Sequence, residues 1–118
     1  MSALTDQKYV GVGIDEKYLM SARSEKDGVR ELELLSAGTK DSAYISLRLA
    51  LLEVIFKNER PFLVLDEALA RLDDKRAEAA IRMLASYCDA GGQCLLFTCH
   101  TREEKLLCGN ADAKVIKL

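Results

Sequence analysis

The chain has 118 residues, of which 49% are apolar and 31% are charged, a composition typical of one globular domain with its own core. Its 17 basic and 19 acidic side chains give a net charge of -2, which excludes a broadly cationic nucleic-acid binder because phosphate binding needs clustered positive charge. The longest mainly apolar stretch, residues 45–56, is too short to cross a bilayer, and the first residues lack a basic and apolar leader, so we expect a cytoplasmic protein without a membrane partner.

The first third of the chain predicts an antiparallel β-meander. Strands are expected at residues 8–14, 18–24 and 29–34, where short runs favour extended backbone. Polar turns at 15–17 and 25–28 separate the runs. Because the turns are short, consecutive strands are expected to pair with each other.

The next segment, residues 41–58, predicts a helix that ends before Pro61. Apolar side chains recur there at steps of three and four residues: Tyr44, Leu47, Leu51, Val54 and Ile55. Other apolar residues widen this face: Ile45, Leu49, Leu52 and Phe56. We therefore expect the helix to be buried on more than one side.

The second half of the chain predicts alternating strands and helices. Residues 62–65 form a continuous apolar run, which is typical of a strand covered on both faces in a parallel sheet. A helix over 74–88 is expected next, with an Asp at its start and Gly91 and Gly92 after its end. Residues 94–98 predict another buried strand.

The last elements are shorter. A helix over 101–107 is expected from the capping-box spacing of residues 101–104, and Gly109 is expected to end it. Residues 114–118 predict a final strand. The predicted architecture is α/β, an antiparallel β-meander followed by a helix and β-α-β-α-β in a single domain over residues 1–118.

The four cysteines contain no CxxC pair. Three of them lie in apolar segments, so buried and reduced thiols are expected rather than a disulfide framework. A metal site formed by Cys99, His100 and Cys108 is the less favoured alternative.

A turn of small residues precedes the long helix: Leu35, Ser36, Ala37, Gly38 and Thr39. A helix that opens from such a turn leaves backbone N–H groups free to meet an anion, and the Ser36 hydroxyl adds a further donor. The alternative interpretation is a loop with an ordinary helix cap.

Charged residues follow the two predicted buried strands at the sheet edge where open α/β folds bind ligands. Asp66 is a candidate Mg²⁺ ligand, usually through water, and Glu67 is a candidate for orienting or deprotonating a nucleophilic water. His100, the sole histidine, ends the next strand. The alternatives are a solvated strand end, a structural histidine and, for Asp73, a helix N-cap.

Taken in order, these segments resemble the C-terminal lobe of an ABC-type ATPase head, the C-terminal half of a P-loop NTPase domain. Residues 35–39 resemble the signature motif, with departures from LSGGQ at Ala37 and Thr39. Residues 62–67 resemble Walker B, residues 70–73 resemble the D-loop, and His100 resembles the switch histidine.

The longer strings LSAGTKDSAYISLRLA at 35–50 and FTCH at 97–100 are closer to SMC-like ATPases than to transporter subunits. The resemblance is to the bacterial YhaN-type family, which is associated with DNA repair and chromosome segregation. No GxxxxGK[ST] motif occurs in the chain. The resemblance places that Walker A loop in a separate lobe, so the chain is expected to be either an excised fragment or a naturally split subunit.

The resemblance implies ATP and Mg²⁺ as cofactors, with ATP held between two heads. Asp66 would hold Mg²⁺, Glu67 would polarise the attacking water, and His100 would contact the γ-phosphate. Residues 35–39 would act on the nucleotide of the second head, and Asp73 would couple the two sites.

The resemblance also implies partners. These are an N-terminal Walker A lobe, a second ATPase head and, through the family alone, DNA. The isolated chain is expected not to turn over ATP. Two alternatives stay open: a transporter nucleotide-binding fragment, and a non-catalytic interaction domain with the same fold.

Overall fold

The structure is a computed structural model, and it describes residues 1–110 and 112–117. Its regular elements alternate in a mixed α/β order. They are β1 (Gly11–Ile14), β2 (Met20–Ser24), β3 (Gly28–Glu31), α1 (Ala37–Ile55), β4 (Leu63–Asp66), α2 (Asp74–Asp89), β5 (Cys94–Phe97) and α3 (Thr101–Asn110). No helix among the described residues is long and apolar enough to span a membrane.

The first three strands form the predicted antiparallel meander in the order β1-β2-β3. The Asp15 carboxylate shapes the first turn, because its Oδ1 accepts hydrogen bonds from the N–H groups of Lys17 and Leu19. The strands are shorter than predicted, and Leu32–Leu34 form a 3-10 turn instead of extending β3. This turn buries Leu32 in a cluster that joins the meander to α1.

Helix α1 begins at Ala37, four residues before the predicted start at Asp41, because Ser36 caps it. In its first half, Thr39, Ser42 and Ala43 are buried, and the meander and the N-terminal segment contact this face. The prediction that α1 is buried on more than one side is wrong for its second half. Large apolar side chains there are exposed: Leu51, Val54 and Ile55.

Strands β4 and β5 pair in parallel, with α2 lying between them in sequence. One face of this pair is buried, where Leu63 and Leu65 pack against Leu84 and Tyr87 of α2. The prediction of a strand covered on both faces is wrong within the described residues. The opposite face exposes apolar side chains: Val64, Leu95 and Phe97.

Helix α2 has the predicted ends. At its start, the Asp73 Oδ1 accepts a hydrogen bond from the Arg76 N–H at 2.9 Å. At its end, Gly91 adopts φ +96°, a conformation that favours glycine. Gly92 then passes so close to Tyr87 that a Cβ would lie 2.2 Å from that ring.

The end of the chain differs from prediction. Helix α3 continues through Gly109, and Thr101 is its first residue rather than its cap, so the predicted capping box does not form. The predicted strand at 114–118 is wrong for residues 114–117, which have no regular structure, and Leu118 lies outside the described residues. A strand needs a neighbour for its backbone groups, and the described β5 has none beyond β4.

All four cysteines are free thiols. The expected burial is wrong, because Cys99 and Cys108 are exposed while Cys88 and Cys94 are half-buried. Burial raises the pKa of the Cys94 thiol to about 11. Cys99, by contrast, lies at the edge of the sheet where the candidate catalytic residues gather.

Candidate functional site

The candidate site lies at the C-terminal ends of the parallel strands. Asp66 ends β4 and is paired in register with Phe97, which ends β5. The residues that follow each strand, Glu67 on one side and Thr98 to His100 on the other, therefore share one sheet edge. This is the edge where open α/β sheets bind ligands.

Glu67 turns the chain out of β4 in an unusual backbone conformation. Its φ is +47°, in the left-handed region that costs a non-glycine residue about 1–2 kcal/mol. Two backbone hydrogen bonds hold it: the Glu67 N–H donates to the Phe97 carbonyl, and the Ala70 N–H donates to the Glu67 carbonyl. The turn places the Glu67 side chain beside the loop after β5.

The Glu67 carboxylate contacts that loop through both oxygens. Its Oε1 accepts a 2.6 Å hydrogen bond from the Cys99 N–H, and its Oε2 lies 3.6 Å from the His100 Nε2. The Thr98 hydroxyl holds the loop by accepting from the His100 N–H at 3.0 Å. Sequence reasoning placed Glu67 and His100 at one edge, and the structure brings them together.

These contacts change the acidity of two groups. The Cys99 N–H, and to a smaller extent the nearby imidazole, lower the pKa of the Glu67 carboxyl. The carboxylate in turn raises the pKa of the Cys99 thiol. Glu67 is therefore ionised at neutral pH, as an acceptor for a proton or a hydrogen bond from water must be.

Asp66 is exposed at the same edge. No hydrogen bond or ion pair occupies its carboxylate in the described part of the chain. Mg²⁺ prefers hard oxygen ligands, keeps several waters and takes one or two carboxylates together with substrate phosphates. A free carboxylate beside an open edge fits that donor set.

The signature-like segment, residues 35–39, caps α1. The Ser36 hydroxyl accepts a hydrogen bond from the Thr39 N–H and also bonds the Thr39 hydroxyl at 2.9 Å. Gly38 lies against the next segment, because a Cβ there would meet the Arg71 carbonyl and the Arg76 guanidinium at 3.0 Å. The interpretation of this segment as a helix cap is thus confirmed, and anion binding by it stays a prediction.

The D-loop-like segment, residues 70–73, is bonded to the same helix. The Arg71 guanidinium donates from Nε to the Asp41 Oδ2 at 2.7 Å and makes a second, shorter contact with Oδ1. Asp73 at the end of the segment is exposed and caps α2. Residues 35–41 and 70–76 therefore form one connected surface.

Arg102 is a structural residue of the site that sequence reasoning missed. Its guanidinium donates to the carbonyls of Leu69 and Leu72 and to the buried carboxylate of Glu103. Glu103 also bonds the Thr98 hydroxyl at 3.4 Å. In the sequence, an adjacent Arg and Glu look like the solvated surface of a helix. The one signal of a structural role is the position of this pair just after His100.

The predicted site residues thus fall into two groups. Glu67 and His100 are in contact, with Asp66 adjacent, whereas residues 35–39 contact the D-loop-like segment. Among the described residues, no side-chain hydrogen bond or ion pair joins the two groups, and the backbone bond from the Ala70 N–H to the Glu67 carbonyl links them. The alternative metal set that included Cys108 is wrong, because the ligand atoms that cluster are those of Glu67, Cys99 and His100.

No family model and no curated protein matches the chain. The chain is similar to a solved structure described in terms of the structural biochemistry of ATP-driven dimerization and DNA stimulated activation of SMC ATPases. The TM-score is 0.69 and the sequence identity is 19%. The alignment covers 94% of this chain and 66% of that one. The chain therefore shares its fold with part of that structure.

Proposed function

We propose that the chain is the C-terminal half of an SMC-like, YhaN-type ATPase head, which hydrolyses ATP once a Walker A lobe completes it and a second head closes over the nucleotide. The contact of Glu67 with the loop that carries His100, at the ligand-binding edge of this fold, carries the proposal. Bound ATP would supply the phosphoryl group, and Mg²⁺ would offset the negative charge of its phosphates.

The arrangement of Glu67 suits a residue that orients water. Its Oε1 is held by the Cys99 N–H, and its Oε2 lies 3.6 Å from the His100 Nε2, beyond hydrogen-bond distance, so Oε2 would accept a hydrogen bond from the attacking water. General-base assistance of this kind typically contributes about 10²- to 10⁴-fold in rate. Asp66 would bind Mg²⁺ through water, and His100 would donate a hydrogen bond to the γ-phosphate.

The signature-like segment, residues 35–39, would act on the nucleotide of the other head. A helix N-terminus attracts an anion by only about 0.3–2 kcal/mol, so this segment binds phosphate usefully only when a second surface holds the same nucleotide. The Arg71–Asp41 pair and the close approach at Gly38 join the segment to Asp73. A displacement of Asp73 at the dimer interface would therefore move the segment as well.

Exposed apolar surface supports the need for a completing lobe. An open groove of about 490 Å³ runs between α1 and β4, lined by residues that include Tyr44, Leu51 and Val64. Apolar patches of this kind on a folded chain typically mark an interaction surface. We propose that the Walker A lobe covers the groove and extends the β4/β5 sheet.

The test is Mg²⁺-dependent ATP turnover by the chain alone and by the chain joined to a Walker A lobe, with Glu67→Gln in the completed head. We expect turnover in the completed head alone, and a loss of about 10²-fold or more in the variant. Glu59→Gln, at an exposed glutamate in the loop between α1 and β4, is the matched control and should leave turnover unchanged.

Two outcomes would contradict the proposal. Turnover by the chain alone would mean that the phosphate-binding site lies elsewhere. A completed head that binds no ATP and turns none over would favour a non-catalytic interaction domain. A role with DNA rests on the family resemblance, and the same assay repeated with duplex DNA should show faster turnover.

A further inference from the structure

Three different metal-ligand side chains converge at the sheet edge. A carboxylate oxygen of Glu67, the Cys99 sulfur and a His100 ring nitrogen lie within 4.8 Å of one another, and all three side chains are exposed. They come from two segments more than 30 residues apart, brought together by the pairing of β4 with β5. We propose that Glu67, Cys99 and His100 form a Zn²⁺-binding site.

The donor set matches the chemistry of zinc. Zn²⁺ binds Cys sulfur at about 2.3 Å, His nitrogen at about 2.0–2.1 Å and carboxylate oxygen at about 2.0–2.2 Å. In a tetrahedral centre these bond lengths place ligand atoms about 3.4–3.6 Å apart. The His100 Nε2 and Glu67 Oε2 are 3.6 Å apart, so this pair already has the required spacing.

The remaining pairs need to close by at most about 1.2–1.4 Å, the difference between the tetrahedral spacing and the 4.8 Å limit of the cluster. The side chains are exposed, so small rotations about their bonds can bring the ligand atoms closer. Three protein ligands leave a fourth position open to water or to a ligand oxygen, as in catalytic zinc sites.

Two hydrogen bonds donated by backbone N–H groups orient the ligands. The Cys99 N–H fixes the Glu67 Oε1, and the Thr98 hydroxyl fixes the backbone of His100. Partners of this kind set ligand orientation and contribute to metal affinity. The thiolate also selects against Mg²⁺, which prefers oxygen ligands, so this site is chemically distinct from the one proposed at Asp66.

Binding releases one proton, because the Cys99 thiol gives its proton to the solvent as the sulfur–zinc bond forms. Bound Zn²⁺ would also engage the carboxylate of Glu67. Under the proposed function, that carboxylate could no longer orient water, and zinc would inhibit turnover. This consequence rests on the proposed function, whereas zinc binding by the chain does not.

The experiment uses the tag-free chain kept reduced with a phosphine. Co²⁺ is the spectroscopic probe, since thiolate ligation gives a charge-transfer band in the near ultraviolet, and Zn²⁺ affinity follows from its displacement of Co²⁺. We expect one ion per chain. Loss of an outer partner already lowers metal affinity about 10- to 100-fold, so Cys99→Ser should abolish the band and weaken Zn²⁺ binding at least about 100-fold.

Cys108→Ser is the matched control, because Cys108 is an exposed thiol on α3 outside the cluster. It should leave the band and the affinity unchanged, whereas His100→Gln should weaken binding by at least about tenfold. Circular dichroism of each variant verifies that it folds. Absence of saturable binding, an unchanged Cys99→Ser variant, or an equal loss in Cys108→Ser would overturn the proposal, whatever the ATPase assay shows.

Discussion

Glu67 combines a left-handed backbone conformation with a side chain held by the loop after β5. The φ of +47° is unfavourable for a glutamate, and a shorter polar residue would adopt it more readily. Its carboxylate, however, is the acceptor for the Cys99 N–H. Strained residues of this kind concentrate at functional sites, which agrees with the role proposed for Glu67.

The pH dependence of stability tests this arrangement. Because the pKa of Glu67 is lowered on folding, chiefly by the Cys99 N–H, its ionised form stabilises the fold fully above the unfolded-state pKa of about 4.3. That contribution is lost as the pH falls through the folded-state pKa. Glu67→Gln has a side chain of nearly the same shape and removes the titration.

We therefore expect the difference in unfolding free energy between the unmodified chain and Glu67→Gln to be constant above about pH 5 and to shrink below about pH 4.3. Urea denaturation at a series of pH values measures it. A difference that grows in acid would show that the carboxyl is stabilised in its protonated form.

The ends of α2 decide how this helix is placed between the sheet edge and the core. Asp73 caps its first turn through the Arg76 N–H, and substitution of such a cap by Ala typically costs about 0.5–2 kcal/mol. We expect Asp73→Ala to lower the unfolding free energy by about 1 kcal/mol and Asp73→Asn, which caps equally well, to leave it nearly unchanged. Chemical denaturation distinguishes the two, and equal losses in both variants would mean that the charge matters more than the cap.

The turn after α2 requires a residue without a side chain at Gly92. A Cβ there would lie 2.2 Å from the ring of the buried Tyr87, whose hydroxyl donates to the Pro61 carbonyl. We expect Gly92→Ala to destabilise the chain by about 1–3 kcal/mol, as overpacking does. Gly109→Ala is the matched control: nothing lies near its Cβ position inside α3, so alanine should stabilise by about 0.5–1 kcal/mol. Thermal unfolding of the two variants should shift in opposite directions.

At the scale of the whole molecule, the chain is more open than its length requires. Its radius of gyration is 14.6 Å, compared with about 13.5 Å expected for a compact domain of 118 residues. The openness coincides with apolar side chains that no described element covers, on the second half of α1 and on one face of β4 and β5. A partner lobe that buries these surfaces would account for both features.

Substitutions on α1 test whether its exposed apolar side chains bind a partner lobe or stabilise the isolated chain. Val54 and Ile55 are 68% and 64% exposed, so Val54→Gln with Ile55→Gln should change the unfolding free energy by less than about 0.5 kcal/mol. The same pair should prevent co-purification with a Walker A lobe. Val29→Gln, at an equally exposed position on β3, is the control that should assemble normally. Retained assembly in the double variant would place the lobe interface elsewhere.

The sequence by itself determined the meander, the order of strands and helices after it, and the position of Glu67 and His100 at one sheet edge. Strand and turn patterns are local, and the carboxyl ends of parallel strands must meet at the same side of a sheet. The Asp73 cap and the glycines after α2 could be predicted for the same reason. Their partners lie only a few residues away in the chain.

Tertiary structure alone decided the bond from Cys99 to Glu67, the Arg71–Asp41 pair and the anchoring of Arg102. Each joins groups about 30 residues apart, and no local pattern reports which distant residues a fold brings together. The predictions that α1 is buried on more than one side and that the chain ends in a strand were wrong for a related reason. Apolar periodicity indicates that a surface needs a partner, but whether the same chain supplies that partner depends on the elements that pack beside it.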